Sequence, residues 1–159
     1  MGQNISKMQF ELPSMVQGFN LVIGPTEVAD VMIGKVVTLS LHHSLSDAAK
    51  LMNNRLFRHC VVVDNERRVV GVISDRDILR ALNRSPSWQT KSLGQIMTRA
   101  PYTVKRNTPI CDAVAKLLAK RINCLPVVND DGTICGIVTT TDLMKSYQQL
   151  LELIQKQGR

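Results

Sequence analysis

Two short segments carry a hydroxyl group and, three residues later, a carboxylate at the expected start of a helix. They are Gly71-Val-Ile-Ser74-Asp-Arg-Asp77 and Gly136-Ile-Val-Thr139-Thr-Thr-Asp142. A helix N-terminus has unpaired N–H groups and a partial positive charge, so it can receive a phosphate to which Ser74 or Thr139 could donate. A carboxylate only accepts hydrogen bonds, so Asp77 and Asp142 suit the two adjacent hydroxyl donors of a ribose. The motifs therefore predict a sugar-phosphate site.

The same pattern has a purely structural interpretation. Ser or Thr followed three residues later by an acidic residue is also a helix N-terminal capping box, which needs no ligand. The two interpretations are compatible, because a capping residue can also bind. The duplication of the pattern favours binding over capping alone.

Both motifs lie at matching places in a longer internal repeat. Residues 28–83 and 93–148 align with a constant offset of 65 and no gap. Identical residues in register include Met32 and Met97, Asp47 and Asp112, Gly71 and Gly136, and Asp77 and Asp142. The offset predicts two copies of one unit. Residues 1–27 are then an N-terminal extension, 84–92 a linker and 149–159 a C-terminal helical tail.

The apolar pattern predicts the element order β-α-β-β-α in each copy. A brief strand is expected at 36–39 and again at 102–104, each followed by an amphipathic helix. Ser44 and Thr108 are the expected caps of these two helices. The apolar runs 60–63 and 125–128 are typical of buried strands. A further strand then leads to Ser74 or Thr139, where the last helix of each copy begins.

Composition limits the class of protein. The chain has 159 residues, a mass of 17.7 kDa and 44% hydrophobic residues, which suits one compact domain or two very small ones. The net charge of +7 suits phosphate-bearing ligands, whereas the dispersal of the basic residues argues against nucleic acid. No apolar stretch is long enough for a membrane span. We therefore expect neither nucleic acid nor a membrane as partner.

The cysteines and histidines give no pattern of metal ligands. Four cysteines are present without a C-x-x-C pair, which favours free thiols in a reducing cytoplasm, and we assign no metal to His42 and His43. Gly2 followed by Ser6 fits the N-myristoylation pattern, which often matches by chance.

With these features the chain resembles a tandem pair of cystathionine-β-synthase (CBS) domains, also called a Bateman module. The resemblance covers residues 28–148 and rests on the turn ending in Met, the Thr after it, the -Val-Val- strand and the doubled Gly-x-x-Ser/Thr-x-x-Asp motif. It implies an α/β (α+β) fold of two β-α-β-β-α repeats related by pseudo-twofold symmetry. Their sheets pack face to face and leave two clefts, and two such modules commonly pair as a homodimer.

The resemblance also implies which residues line the clefts. In the first copy these are Thr38, Arg58, His59, Ser74, Arg76 and Asp77, and in the second Thr103, Asn123, Cys124, Thr139, Thr141 and Asp142. Arg58 and His59 could meet a phosphate as charged or partly charged groups, whereas Asn123 and Cys124 supply no cation. The alternative for Arg58 and His59 is a solvated helix end. We expect chemically unequal clefts, with one or both occupied.

The function implied by the resemblance is a regulatory module that binds AMP, ADP or ATP and acts on an unknown partner protein. S-adenosylmethionine and NAD are ranked below these nucleotides. A ligand that bridges both copies would favour one relative orientation and hence one dimer geometry. The alternative is a structural dimerisation module without ligand. We find no catalytic triad, no G-x-x-x-x-G-K-S/T loop and no metal cluster, so we expect neither an enzyme nor a required cofactor.

Overall fold

The computed structural model describes residues 24–157, so the myristoylation pattern and most of the N-terminal extension lie outside the described residues. The helices are α1 (Leu45–Arg55), α2 (Asp75–Arg84), α3 (Leu93–Ile96), α4 (Ile110–Lys120) and α5 (Thr140–Gln157), with 3₁₀ turns at Val28–Asp30 and Trp88–Thr90. The strands are β1 (Thr38–Ser40), β2 (His59–Val63), β3 (Val69–Ser74), β4 (Thr98–Arg99), β5 (Cys124–Val128) and β6 (Ile134–Thr139). No helix among the described residues is both long and apolar enough to cross a membrane.

The first sheet has the strand order β1-β2-β3-β4, with β1 parallel to β2 and the other neighbours antiparallel. The second sheet consists of the antiparallel pair β5-β6. The strand expected at 102–104 is reduced to a single parallel bridge between Val104 and Val127, so that prediction was wrong in extent. Pro101 has no N–H to donate, and a turn closed by a hydrogen bond from Lys105 N to Thr108 Oγ1 follows at once.

The opening segment of each repeat packs into the core of the other repeat. Val28 belongs to the apolar cluster of the second repeat, with Met32 packed against it. Leu93 and Met97 belong to the cluster of the first repeat. In the same way β4 pairs with β3, and Ile33 forms a bridge to Ile137 in β6. Each packed unit therefore combines the opening segment of one repeat with the helices and strands of the other.

The two sheets pack face to face, as the resemblance to CBS domains implies. Their shared cluster contains Val61, Val63 and Val72 from the first sheet and Cys124, Ile134 and Ile137 from the second. The two hairpin turns are also joined, because Val69 N donates to Gly132 O and Ile134 N donates to Arg67 O. The sheets are thus held together at the hairpin end. The opposite ends of the strands carry the two motifs.

The caps of the two long amphipathic helices differ. Ser44 caps α1 as predicted, since its Oγ accepts from Asp47 N at 3.1 Å and Asp47 Oδ2 accepts from Ser44 N at 2.9 Å. Thr108 does not cap α4, because its hydroxyl oxygen is used by Lys105 N. Pro109 is the N-terminal cap residue there and makes no side-chain cap hydrogen bond.

Candidate functional site

An open cavity of about 1100 Å³ lies between the two repeats, at the strand ends away from the hairpins. Ser74 and Asp77 line it from the first repeat, and Thr139 and Asp142 line it from the second. Two clefts were expected from the resemblance, but one continuous cavity reaches both motifs. Side chains of both repeats therefore line the same cavity.

Each motif forms a helix capping box. Asp77 Oδ2 accepts from Ser74 N at 2.8 Å and from Ser74 Oγ at 2.6 Å, while Asp77 N donates back to Ser74 Oγ at 3.3 Å. Thr139 and Asp142 make the same three bonds at 2.9, 2.6 and 3.3 Å. The structural interpretation of the motifs is therefore correct. It occupies only one oxygen of each carboxylate.

The second carboxylate oxygens have different surroundings. Asp77 Oδ1 accepts from Arg80 Nη1 at 3.4 Å. Within residues 24–157, no hydrogen bond reaches Asp142 Oδ1 from another part of the chain. The carboxylate of the second repeat thus keeps one acceptor atom free at the cavity.

Arg58 lines the cavity but is engaged by Asp75. The guanidinium Nε donates to Asp75 Oδ2 at 2.8 Å, and Arg76 N donates to Asp75 Oδ1 at 2.8 Å. Burial raises the pKa of the Asp75 carboxyl, but the hydrogen bond and the charge of Arg58 outweigh it, so that this pKa lies below its usual value. Asp75 is therefore an anion at neutral pH.

His59 and Cys124 occupy equivalent positions in β2 and β5. Desolvation lowers the pKa of His59, and the neighbouring Arg58 lowers it further against the opposing effect of Asp75. The lowered pKa disfavours the charged form of the imidazole, and a contact between His59 and a phosphate stays a prediction. Burial raises the pKa of the Cys124 thiol to about 12, so this group is a small apolar wall rather than a nucleophile.

The remaining expected residues are divided between the cavity and its surroundings. Asn123, Arg76 and Thr141 line the cavity, and Asn123 O accepts from Thr140 N at 3.1 Å. Thr38 and Thr103 do not line it. Thr38 pairs with Val61 in β1, and Thr103 O accepts from Lys116 Nζ at 3.2 Å. In each repeat the preceding residue lines the cavity instead, namely Val37 and Tyr102.

Most of the basic residues of the cavity were missed by sequence reasoning. Besides Arg58 and Arg76, the lining contains Lys35, Arg55, Arg80, Arg99, Arg121 and Lys145. These eight cations face three carboxylates, those of Asp75, Asp77 and Asp142. The repeat offset contained one available signal, because it aligns Arg80 with Lys145, each three residues after the motif Asp.

Four exposed apolar side chains also line the cavity. They are Ile33, Val37, Leu56 and Tyr102. Tyr102 is 49% exposed, and Lys120 Nζ lies 4.9 Å from the centre of its ring. A cavity with a basic rim and exposed apolar surfaces suits a ligand that combines phosphate with a flat ring.

The family follows from comparison with known proteins. A family model described as the CBS domain matches residues 28–84 and 93–149. The chain belongs to the CBS-domain family. The matching region of this CBS-domain pair is 28% identical over 130 residues to a homoserine O-acetyltransferase of Methanohalobium evestigatum, covering 82% of this chain and 26% of the relative. An inosine-5'-monophosphate dehydrogenase of Methanocaldococcus jannaschii matches to the same extent, with 25% of its length covered.

Solved structures share the architecture over nearly their whole length. A Vibrio cholerae protein named AcuB has a TM-score of 0.74 at 30% identity, covering 82% of this chain and 96% of that one. The CBS domain pair of protein MJ0100, in complex with 5'-methylthioadenosine and S-adenosylmethionine, has a TM-score of 0.72 at 29% identity and coverages of 78% and 97%. CBSX2 in complex with AMP has the same TM-score and identity, with coverages of 79% and 98%. In contrast to these structures, the two enzymes named above are much longer, and this chain spans about a quarter of their length.

Proposed function

We propose that this CBS-domain pair is a regulatory module that binds a phosphate-bearing adenosine ligand, AMP, ADP or ATP, in the cavity between its repeats. The observation that carries the proposal is the charge of the cavity, where eight basic side chains face three carboxylates. Such an excess favours anionic ligands. The adenosine ligands of two structural neighbours, AMP in CBSX2 and two sulfur-containing adenosines in MJ0100, support the same ligand class.

The charge also ranks the adenosine ligands. S-adenosylmethionine carries a sulfonium cation, which the basic side chains of the cavity repel. A nucleotide phosphate carries negative charge and can accept several charge-assisted hydrogen bonds from Arg and Lys. We therefore place AMP, ADP and ATP above S-adenosylmethionine for this chain. NAD ranks between them, because the positive charge of its nicotinamide ring offsets part of the negative charge of its two phosphates.

The contacts of the nucleoside follow from the acceptor and apolar groups of the cavity. Asp142 Oδ1, which lacks a hydrogen-bond partner among residues 24–157, is the proposed acceptor for the ribose hydroxyls. Tyr102 and Val37, both partly exposed, are the proposed surfaces for the adenine ring. Ribose recognition and capping then use different oxygens of the same carboxylate.

The test is a calorimetric titration of AMP, ADP, ATP, NAD and S-adenosylmethionine into the full chain and into Asp142→Asn. An Asn keeps one oxygen for the capping box but replaces the free acceptor with a donor, so AMP binding should weaken tenfold or more. Asp47→Asn is the matched control, because Asp47 sits in the same kind of capping box at α1 and does not line the cavity. It should bind as the parent chain does.

Two results would decide against the proposal. If no adenosine compound binds the parent chain or raises its melting temperature, the alternative of a dimerisation module without ligand replaces it. If Asp47→Asn weakens binding as much as Asp142→Asn, the loss reports capping rather than ribose recognition.

We further infer that two copies pair through the exposed faces of α2 and α5. Leu79 and Leu82 on α2 are exposed, and the offset of 65 aligns them with Met144 and Tyr147 on α5, which are exposed too. Such a matched pair of apolar patches suits a twofold, self-complementary interface. A ligand that contacts both repeats would favour one angle between them and so one dimer geometry, to which the unknown regulated protein responds.

Sedimentation of the parent chain and of Leu82→Glu tests this interface. We expect a dimer for the parent and a monomer for the variant, because a carboxylate cannot be desolvated there without a partner. Leu118→Glu on α4 is the control, since Leu118 is exposed but lies outside the α2 and α5 faces. A parent chain that sediments as a monomer at calorimetric concentrations excludes this interface.

We also propose a cytoplasmic location and a regulatory rather than a catalytic role. All four cysteines are free, which supports a reducing cytoplasm. We infer that the cavity recognises a ligand and does not catalyse a reaction. The Cys124 thiol lines the cavity, and burial keeps it protonated. Release of product from AMP, ADP or ATP during prolonged incubation with the purified chain would contradict a purely regulatory role.

A further inference from the structure

We propose that Asp75 closes the phosphate position of the first repeat, so that the cavity holds one nucleotide, with its phosphate at the second repeat. The proposal rests on nucleotide binding in the cavity and specifies which half of it receives the charge. From the sequence, Arg58 favours the first repeat as the phosphate site. The contact of Arg58 with Asp75 reverses that ranking.

In the first repeat, the protein itself uses the N–H groups at the start of α2. Ser74 N donates to Asp77 Oδ2, and Asp75 N donates to the carbonyl oxygen of Arg58 at 3.0 Å. Arg76 N donates to Asp75 Oδ1, and Asp77 N donates to Ser74 Oγ. A phosphate that approached this helix end would have to displace the Asp75 carboxylate from Arg76 N.

In the second repeat, one N–H group at the start of α5 stays available. Thr139 N and Asp142 N are used by the capping box, and Thr140 N donates to Asn123 O. Thr141 N, the equivalent of Arg76 N, has no side-chain acceptor within the described range 24–157, and an N–H of the first helical turn has no partner within its own helix. The difference arises from one position, because Thr140 has no carboxylate where the first repeat has Asp75.

The charges follow the same division. The Asp75 carboxylate is ionised and lies 2.8 Å from Arg58 Nε, so it repels a phosphate and also neutralises the nearest guanidinium. Arg80 is drawn towards Asp77 at 3.4 Å. Its equivalent, Lys145, makes no ion pair with any residue from 24 to 157 and lines the cavity beside Asp142. The second repeat thus offers both a free N–H and a free cation.

The equivalent residues of the two repeats supply the test variants. Asp75→Thr gives the first repeat the residue of the second, releasing Arg58 and Arg76 N. Thr140→Asp does the reverse and places a carboxylate against Thr141 N. Both variants should fold, because Thr and Asp are each present at this position of one repeat. An acidic residue in the first helical turn is also favourable.

The experiment measures stoichiometry and affinity for AMP by equilibrium dialysis on the full chain. We expect one nucleotide per parent chain, two per Asp75→Thr chain, and at least tenfold weaker binding by Thr140→Asp. In the double variant the nucleotide should move to the first repeat. Its binding should then be weakened by Asp77→Asn and should no longer depend on Asp142.

Failure of this proposal differs from failure of nucleotide binding itself. Two nucleotides on the parent chain, one on Asp75→Thr, or unchanged affinity in Thr140→Asp would each overturn the role of Asp75 while leaving the nucleotide-binding function intact. No binding of AMP by the parent chain would overturn both.

Discussion

Met97 and Gly71 are in contact although they belong to different repeats. The thioether of Met97 occupies the space that a Cβ atom at Gly71 would need, and Met32 lies against Gly136 in the same way, with Sδ 2.6 Å from the Cβ position. The glycine of each Gly-x-x-Ser/Thr-x-x-Asp motif therefore makes room for the methionine that the other repeat contributes. These two contacts join the repeats behind the cavity.

Gly71→Ala should destabilise the chain by about 1–3 kcal/mol, because the added methyl group collides with Met97 in a packed region. Urea unfolding followed by circular dichroism measures this change. Gly34→Ala is the control, since a Cβ at Gly34 meets nothing within 4 Å and the substitution should be neutral or slightly stabilising. If Met97→Ala does not relieve part of the Gly71→Ala loss in the double variant, the contact is not the cause.

The fold was largely predictable from apolar periodicity, whereas the exchange between the repeats was not. A period of 3.6 residues identifies α1, which buries one face, and a continuous apolar run identifies the strand β2, which buries both faces. The pattern around Met32 and Met97 predicts only that these residues are buried. It does not distinguish the core of one repeat from the equivalent core of the other, since the two are built alike.

The site was predictable where a motif marks it and unpredictable where it depends on long side chains from several segments. The capping boxes bring Asp77 and Asp142 to the cavity through local geometry. Arg99, at the end of β4, and Arg121, directly after α4, line the cavity from segments that no motif marks. The ion pair of Arg58 with Asp75 joins residues 17 positions apart, and no sequence period relates them.

Lowering the pH should destabilise the chain through His59. The pKa of His59 is near 6.5 in the unfolded chain and is lowered in the folded chain. At a pH between these two pKa values, the unfolded chain binds a proton that the folded chain does not. Stability is therefore lost as the pH falls below about 6.5. His59→Gln should reduce this loss between pH 7.5 and 5.5 in urea unfolding, whereas His42→Gln, at an exposed position, should not. Equal pH dependence in His59→Gln and the parent would refute the assignment.

Three of the four thiols should react with a disulfide reagent in two classes. Cys111 is exposed and should react quickly. Cys60 and Cys124 are buried, and burial raises the pKa of each thiol to about 12, so little thiolate forms at pH 8. Both should react only when the chain unfolds. Spectrophotometric labelling of Cys111→Ser, with and without urea, counts the thiols of each class. Fast labelling of Cys124 in the folded chain would contradict the tight packing between the sheets.

Leu56→Gly should stabilise the chain, although it removes a large apolar side chain. Leu56 ends α1 with φ 57° in the left-handed region, and its side chain is 91% exposed, so it has strain and almost no burial to lose. Glycine adopts this conformation freely, and the expected gain is roughly 0.5–1 kcal/mol in urea unfolding. Leu118→Gly is the control, because Leu118 is 73% exposed but lies within α4, where glycine costs about 1 kcal/mol. Opposite signs for these two substitutions would establish that backbone conformation, and not the loss of an exposed leucine, sets the stability of the turn. A loss of stability in both would show that Leu56 makes apolar contacts in solution, as it would if its side chain closed over the cavity.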